Sequence, residues 1–165
     1  MSVVAAADVL TDARAFREAL GRFATGVALV TAAPDGEPAG LIVNSFTSVS
    51  LEPPLVAFCP ARSSFTWQRM RRTRRFGVNV LEEGHEDFAL RATPAAADRF
   101  AGIEWEFGPG GAPLLTSALA TLECEIVAEY PAGDHWIVVG LVDGIRTREL
   151  GRPLIFVDGA FATVR

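Results

Sequence analysis

Short apolar segments separated by turn sequences run through the first half of the chain. Residues 27–32 alternate and are rich in β-forming side chains, residues 34–37 read Pro-Asp-Gly-Glu, and residues 39–48 resume an extended pattern. Two such runs joined by a polar turn predict a β-hairpin. Residues 55–58 and 76–81 are also apolar enough to predict two more short strands.

A longer alternating segment opens the second half of the chain. Within residues 119–130, the apolar side chains of Leu122, Cys124 and Ile126 occupy every second position. The other face carries Thr121, Glu123, Glu125, Val127 and Glu129. This pattern predicts a half-buried strand whose polar face meets water. A turn sequence at residues 131–134 leads into the next predicted strand, residues 135–145. Two more short strands are predicted at residues 153–157 and 160–164.

Helical periodicity is confined to short stretches. From Asp12 the apolar residues Phe16, Ala19, Leu20 and Phe23 recur at helical spacing, and Gly21 and Gly26 close the segment. Three shorter helical pieces are predicted from Ser63 or Ser64 to Met70, from Glu86 to Arg91, and from Ala95 to Phe100. Strands joined by hairpins, with few helices between them, predict a mainly β fold whose antiparallel sheet closes into a barrel. A Rossmann fold is disfavoured.

Composition predicts a single ordinary domain. The chain has 165 residues, of which half are apolar, and shows no internal repeat or linker. Residues 1–14 lack a clear period and are interpreted as an N-terminal arm, either loose or lying across a partner subunit; residues 15–165 form the domain. Cys59 and Cys124 lack disulfide-framework or zinc-ligand spacing. Without a leader pattern or a stretch of roughly 20 apolar residues, a cytoplasmic protein with no membrane partner is expected.

Charge argues against a nucleic-acid partner. The net charge is −5, and all fifteen basic residues are arginine. The densest basic run contains Arg69, Arg71, Arg72, Arg74 and Arg75. One short run on an acidic chain neutralises few phosphates, so a solvated helix end or a contact with a cofactor phosphate is the preferred interpretation.

The catalytic motifs of several enzyme classes are absent. The sequence contains no Gly-x-Gly-x-x-Gly after a strand, no Walker loop, no His-Glu-x-x-His and no Gly-x-Ser-x-Gly. His85 and His135 are the only histidines, which is too few for a multi-histidine metal centre within one chain. No metal site is predicted, and a dinucleotide would have to bind in another way.

Two hydroxyl-rich clusters are the candidate ligand-binding segments. Residues 44–50 read Asn-Ser-Phe-Thr-Ser-Val-Ser, and residues 62–66 read Arg-Ser-Ser-Phe-Thr. The first places small hydrogen-bonding groups on both faces of a strand end, although a solvated edge strand has the same pattern. The second combines a permanent cation, several donors and a helix start, which suits a phosphate but is also an ordinary N-cap.

A series of short motifs extends from about residue 15 to residue 164. The motifs are Phe16-Arg17, Gly21-Arg22-Phe23-Ala24-Thr25-Gly26-Val27, Val30-Thr31, Gly40, Asn44-Ser45-Phe46, Ser48-Val49-Ser50-Leu51, Pro53-Pro54-Leu55-Val56, Val78-Asn79, Phe88-Ala89, Asp98-Arg99-Phe100, Gly133-Asp134-His135 and Pro153-Leu154. Each motif is weak alone, but in this order they resemble the short-chain flavin reductases, the reductase components of two-component flavin monooxygenases.

The resemblance implies an antiparallel split β-barrel of the FMN-binding type, a homodimer with flavin near its interface, and a nicotinamide cofactor lying against the flavin. It places Asn44, Ser45, Ser48, Val49 and Ser50 along the flavin ring, ribityl chain and phosphate. Arg62, Ser64 and Thr66 would hold phosphate. Cys59 would be a neutral wall of the flavin pocket, for which a small core residue is an equally good interpretation.

The Gly133-Asp134-His135 motif points to the nicotinamide side of the site. By resemblance, His135 lies beside the bound nicotinamide; from spacing alone it would be a hairpin histidine bonded to backbone. Asp134 would orient the imidazole or cap the turn. His85 matches no motif and is interpreted as a surface residue.

The implied activity is hydride transfer from NADH or NADPH to FMN or FAD, with reduced flavin supplied to a separate monooxygenase. The alternatives are a non-catalytic flavin-binding protein and a flavin oxidase of the pyridoxamine-phosphate oxidase type. Ile42 stands where the family often has threonine, and Phe161, a further cofactor-binding candidate, where it often has tyrosine. Both departures leave the choice of flavin and of nicotinamide open.

Overall fold

A computed structural model describes residues 12–92 and 100–164. The first described helix, α1, spans Ala13–Gly21 and begins at Asp12, whose Oδ1 accepts hydrogen bonds from the backbone N–H groups of Arg14 and Ala15 at 2.9 and 3.2 Å. This N-cap confirms the predicted helix start. Residues 1–11 of the predicted arm lie outside the described residues.

Strands dominate the rest of the chain, as the hydrophobic pattern predicts. The strands are β1 (Thr25–Gly26), β2 (Ala28–Ala32), β3 (Ala39–Val43), β4 (Thr47–Leu51), β5 (Pro54–Phe58), β6 (Arg75–Val80), β7 (Trp105–Phe107), β8 (Pro113–Leu115), β9 (Ala120–Ala132), β10 (His135–Thr147), β11 (Leu154–Val157) and β12 (Ala160–Thr163). The other helices are α2 (Phe65–Met70) and α3 (Glu86–Ala92), and short 3₁₀ turns cover Pro34–Gly36, Arg71–Thr73 and Glu83–His85. The mainly β class is confirmed.

The main sheet has seven antiparallel strands in the order β3-β2-β6-β9-β10-β5-β4. Its two edge strands, β3 and β4, are joined only by residues 44–46. Such a link reaches at most about 14 Å, so the sheet must curl until its edges approach each other. The result is a barrel left open at one seam, spanned by the hydroxyl-rich link.

Two apolar clusters fill the interior. One lies inside the curled sheet around Phe58, Trp67 and Phe76, with both aromatic partners of Phe58 at centroid distances of 5.2 Å. The other contains Leu29 and Leu115 and packs under α3 and β11. A three-stranded sheet, β1-β11-β12, and the β7-β8 hairpin complete the described structure. No helix within residues 12–92 and 100–164 is long and apolar enough to cross a membrane.

Most local predictions agree with these elements, but the extended run predicted over residues 39–48 is divided into β3 and the beginning of β4, and β7 and β8 were not predicted. The β2-β3 hairpin pairs Ala28 with Val43, and β9 reverses into β10 at the predicted turn. Of the two serines proposed to start α2, Ser64 is the cap, since its Oγ accepts from the Trp67 N–H at 3.2 Å. The predicted helix Ala95–Phe100 lies outside the described residues, except for Phe100.

The water-facing side predicted for β9 is wrong at its beginning. Thr121 and Glu123 are 3 % and 6 % exposed, because the segment leading to β8 covers this face of the strand. Glu123 Oε1 accepts a hydrogen bond from the Gly110 N–H at 2.7 Å. The alternation identified the strand, but whether a second layer covers its polar face is decided by residues more than ten positions away.

The surface position predicted for His85 is also wrong. Its side chain is 7 % exposed and lies between Glu82 and Ser117. Nδ1 accepts a hydrogen bond from the Glu82 N–H at 3.2 Å, so Nε2 carries the hydrogen and donates to Ser117 Oγ at 2.8 Å. Burial lowers the pKa of His85, the Glu82 carboxylate opposes this shift, and Arg148 reinforces it. The folded protein therefore holds a neutral imidazole.

Stability should fall as the pH is lowered through about 6.5, the pKa of an unperturbed histidine. Because the folded-state pKa of His85 is depressed, the unfolded chain binds the proton first, and the free energy of unfolding decreases by at most about 1.4 kcal/mol per pH unit for this single group. Urea unfolding between pH 5.5 and 8 should show this decline in the wild type and a flatter profile in His85→Gln. Thr116→Val, which changes an exposed side chain that does not titrate, should keep the wild-type slope. An equal decline in His85→Gln would contradict the assignment.

Candidate functional site

A groove of about 400 Å³ opens beside the seam of the barrel. Its walls come from the end of β3, the link after it, the segment after β5, the start of α2 and the start of β10. The lining residues are Leu41, Ile42, Val43, Asn44, Ser45, Cys59, Pro60, Ala61, Ser64 and His135. Both hydroxyl-rich clusters found in the sequence contribute to it, although they are separated along the chain.

Ser45 ties the two sides of the groove together. Its Oγ accepts a hydrogen bond from the backbone N–H of Cys59 at 2.9 Å, which fixes the link beside the end of β5. The serine hydroxyl keeps its own hydrogen for donation. Asn44 precedes it and is exposed, so an amide and a hydroxyl stand side by side at the groove.

Cys59 contributes an uncharged surface. The side chain is half-buried and free of any disulfide. Burial raises the pKa of the Cys59 thiol, so the group stays protonated at neutral pH. A neutral thiol suits a wall against a flat aromatic ligand better than it suits a nucleophile.

His135 is held at the rim of the groove by backbone pairing. Ala61 and His135 form an antiparallel bridge, the Arg62 N–H donates to the Asp134 carbonyl at 2.8 Å, and the Trp136 N–H donates to the Pro60 carbonyl at 2.9 Å. These contacts extend the β5-β10 pairing beyond its last ladder residue. The imidazole is therefore anchored through its main chain while its side chain remains 46 % exposed.

Asp134 fixes the orientation of that imidazole. His135 Nδ1 lies 2.7 Å from Asp134 Oδ1. This hydrogen bond, with the charge of the imidazole as a second cause, lowers the pKa of Asp134, so the carboxylate is ionised and accepts from Nδ1–H. Nε2 is then the ring nitrogen left to meet a ligand.

The remaining candidate residues lie around the groove and do not line it. Ser48, Val49 and Ser50 belong to the edge strand β4, and Thr66 lies in the first turn of α2. Asp134 is almost fully exposed. The side chain of Arg62 lies against the β9-β10 hairpin, where its Nη1 donates a hydrogen bond to the Gly133 carbonyl at 3.3 Å. The groove thus brings together Asn44, Ser45, Cys59, Ser64 and His135.

Phe161 lines a second, smaller groove that continues from the first. This cavity of about 220 Å³ shares Ile42, Val43 and Asn44 with the larger groove. Phe161 packs edge-on against Phe156 with ring centroids 5.6 Å apart. The end of β3 therefore separates a polar groove from an apolar one.

Sequence reasoning missed the apolar wall of the larger groove. Leu41, Val43, Pro60 and Ala61 line it without any polar group to mark them. Only their adjacency to the two hydroxyl-rich clusters could have drawn attention to them. Ile42, which stands where the family often has threonine, lies in the wall shared by both grooves.

The fold and the groove define a class of protein. The chain is a split-barrel protein whose seam offers an amide, hydroxyls, an oriented imidazole and apolar walls to one organic ligand. Residues 20–165 match the family model described as "Flavin reductase like domain". The chain belongs to this family, which confirms the resemblance read from its motifs.

Curated relatives and solved structures agree with that membership. The chain is 40 % identical over 153 residues to the reductase subunit HsaB of a flavin-dependent monooxygenase from Rhodococcus jostii, covering 93 % of this chain and 78 % of that one. It is 41 % identical over 150 residues to the FMN reductase (NADH) SmoA of Agrobacterium fabrum, covering 91 % and 85 %. The NADH:FAD oxidoreductase SgcE6 of Streptomyces globisporus C-1027, solved in complex with NAD and FAD fragments, matches with a TM-score of 0.89 and 36 % identity, covering 100 % and 98 %.

Proposed function

We propose that this chain is an NAD(P)H-dependent flavin reductase that transfers a hydride from NADH or NADPH to FMN or FAD. The observation that carries the proposal is the groove at the barrel seam, where Asn44, Ser45 and Ser64 meet the oriented imidazole of His135. Membership of the flavin reductase-like family supports the same activity.

The residues of the groove fit a flavin. The volume of about 400 Å³ lies in the usual range for cofactor sites. The Asn44 amide and the Ser45 hydroxyl offer donors and acceptors to the polar edge of the ring, and the Cys59 thiol offers an uncharged wall. In this proposal Ser64, Thr66 and Arg62 would hold the phosphate, and Ser48, Val49 and Ser50 of β4 would contact the flavin. When bound, the flavin supplies the hydride acceptor, and the protein supplies orientation.

His135 stands on the nicotinamide side in this proposal. Its Nδ1–H is committed to Asp134, so Nε2 is the ring nitrogen available to form a hydrogen bond with an amide such as the nicotinamide carboxamide. This arrangement positions the hydride donor without requiring the histidine to transfer a proton. Phe161, across the shared wall from the polar groove, would contact the cofactors through its ring.

We also propose that the reduced flavin leaves for a separate monooxygenase and that the chain forms a homodimer. The first inference is supported by relatives named as reductase subunits of flavin-dependent monooxygenases, including HsaB. The second is supported by family membership and by the frequency of two-fold assemblies among small oligomers.

The test is a matrix of NADH or NADPH against FMN, FAD or riboflavin, followed by the loss of the nicotinamide absorbance. We expect rapid oxidation with at least one pair, and only when free flavin is present. Flavin binding without turnover would instead support a non-catalytic flavin-binding protein. Turnover of an amine by protein that retains its flavin would support an oxidase.

A further inference from the structure

Trp136 follows His135 directly and lies close to two arginines. The guanidinium carbon of Arg71 is 4.7 Å from the centroid of the indole, and that of Arg62 is 5.4 Å away. Both distances are within the range of a cation–π contact, which is stronger where water is partly excluded. Two arginine side chains therefore contact the indole of Trp136, which is adjacent in sequence to His135, the candidate nicotinamide-binding residue.

Arg71 is the better fixed of these two cations. Its Nη2 donates to Glu129 Oε2 at 2.9 Å, and the two side chains are only 28 % and 14 % exposed. Glu129 belongs to β9, and Arg71 follows the last residue of α2. The contact therefore clamps the indole between a helix end and the neighbouring strand, with the Glu129 carboxylate balancing the charge of Arg71.

The position of Trp136 bears directly on that of His135. Successive side chains of a strand point to opposite faces, so the indole and the imidazole lie on opposite sides of the start of β10. The main chain there is tied by the bond from the Trp136 N–H to the Pro60 carbonyl. Holding the indole against Arg71 therefore limits how the backbone of residues 134–136 can tilt, and with it the direction of the imidazole.

We propose that Arg71 is a positioning residue for His135. Through its ion pair with Glu129 and its contact with Trp136, it sets the angle at which the histidine meets the hydride donor. This inference rests on the proposed function for its kinetic consequence. Arg71 touches neither cofactor groove, so it acts through Trp136 alone.

The kinetic test compares Arg71→Gln with two matched variants. We expect Arg71→Gln to raise the KM for NADH about fivefold, within the range by which residues without ligand contact alter binding, with kcat and the Kd for flavin changed less than about twofold. Arg71→Lys keeps the cation, so its KM for NADH should stay close to the wild-type value. Arg72→Gln removes the same charge one residue along, at a 63 % exposed side chain paired with exposed Asp35, and should leave all three constants near the wild type.

The proposal is overturned if Arg71→Gln leaves the KM for NADH within twofold of the wild type, or if KM and flavin Kd rise together. If Arg71→Gln does not fold, Trp136→Phe and Trp136→Leu decide the matter. The phenylalanine ring keeps a cation–π partner and should hold KM near the wild type, whereas leucine should raise it. Equal KM values for these two variants would also overturn the proposal.

A second measurement does not depend on reductase activity. The chain has two histidines, so a long-range ¹H–¹⁵N spectrum of the imidazoles contains only His85 and His135. Arg71→Gln should move the ring signals of His135 and leave those of His85 in place, and Arg72→Gln should move neither. Absence of NADH turnover in the wild type would contradict the proposed function, whereas unmoved His135 signals in Arg71→Gln would contradict the positioning role.

Discussion

Replacing Asn79 by leucine should lower the free energy of unfolding by about 2–4 kcal/mol, since each buried partner left without a hydrogen bond costs about 1–3 kcal/mol. Asn79 is fully buried on β6. Its Nδ2 donates to the Leu29 carbonyl at 3.1 Å and to Thr31 Oγ1 at 3.3 Å, and its Oδ1 accepts from the Leu115 N–H at 2.7 Å. One amide thus connects three strands.

Leucine has a similar size and would remove the bonds to the Leu29 carbonyl and the Leu115 N–H in an apolar interior, whereas Thr31 Oγ1 would still donate to the Pro113 carbonyl. Urea unfolding followed by far-ultraviolet circular dichroism should show a lower midpoint with a nearly unchanged m-value. Thr116→Val is a suitable control, because among residues 12–92 and 100–164 that exposed hydroxyl makes one long bond, 3.4 Å to the Glu104 carbonyl; its effect should stay within about 0.5 kcal/mol. A loss below about 1 kcal/mol in Asn79→Leu would show that the surrounding groups find other partners.

Replacing His135 by alanine should reduce kcat/KM for NADH about 10- to 100-fold, the range expected when one hydrogen bond to a bound ligand is lost. The imidazole lines the groove, and Asp134 holds its Nδ1, which leaves Nε2 for the proposed contact with the nicotinamide. The Kd for flavin should stay within about twofold, because Asn44, Ser45 and Ser64 remain. Steady-state kinetics at varied NADH concentration measure kcat/KM, and a separate fluorescence titration measures the Kd for flavin.

Two further variants sharpen that comparison. Asp134→Asn keeps an oxygen acceptor for Nδ1–H and removes the charge, so its effect on NADH use should be smaller than that of His135→Ala. His85→Gln changes the histidine outside this groove and should leave the kcat/KM for NADH near the wild type at pH 8. An equal loss of flavin binding and NADH use in His135→Ala would place the histidine on the flavin side.

The candidate site was only partly recognisable in the sequence. Asn44, Ser45, Ser64 and His135 could be selected because polar groups in a recurring order mark a ligand site. Arg62 was also selected for its charge, yet its guanidinium lies against the hairpin that carries His135. A charge can be identified in a sequence, but its partner depends on which distant segment folds against it.

The role inferred for Arg71 shows the same limit. In the sequence, Arg71 is one of several arginines in a basic run, and nothing distinguishes it from Arg72. In the structure, Arg71 meets Glu129 and Trp136, more than fifty residues away, while Arg72 meets exposed Asp35 at 3.6 Å. Adjacent residues after a helix point in different directions, so their partners differ completely.

The sequence by itself determined most of the strands, the hairpins, the positions where α1 and α2 begin and the family, because periodicity, turn chemistry and ordered motifs are properties of neighbouring residues. Tertiary structure alone decided that Glu123 and His85 are buried and that the link after β3 spans the barrel seam. It also decided which polar residues share one groove. These features depend on contacts between distant segments, which form only when the sheet curls and its edges approach each other.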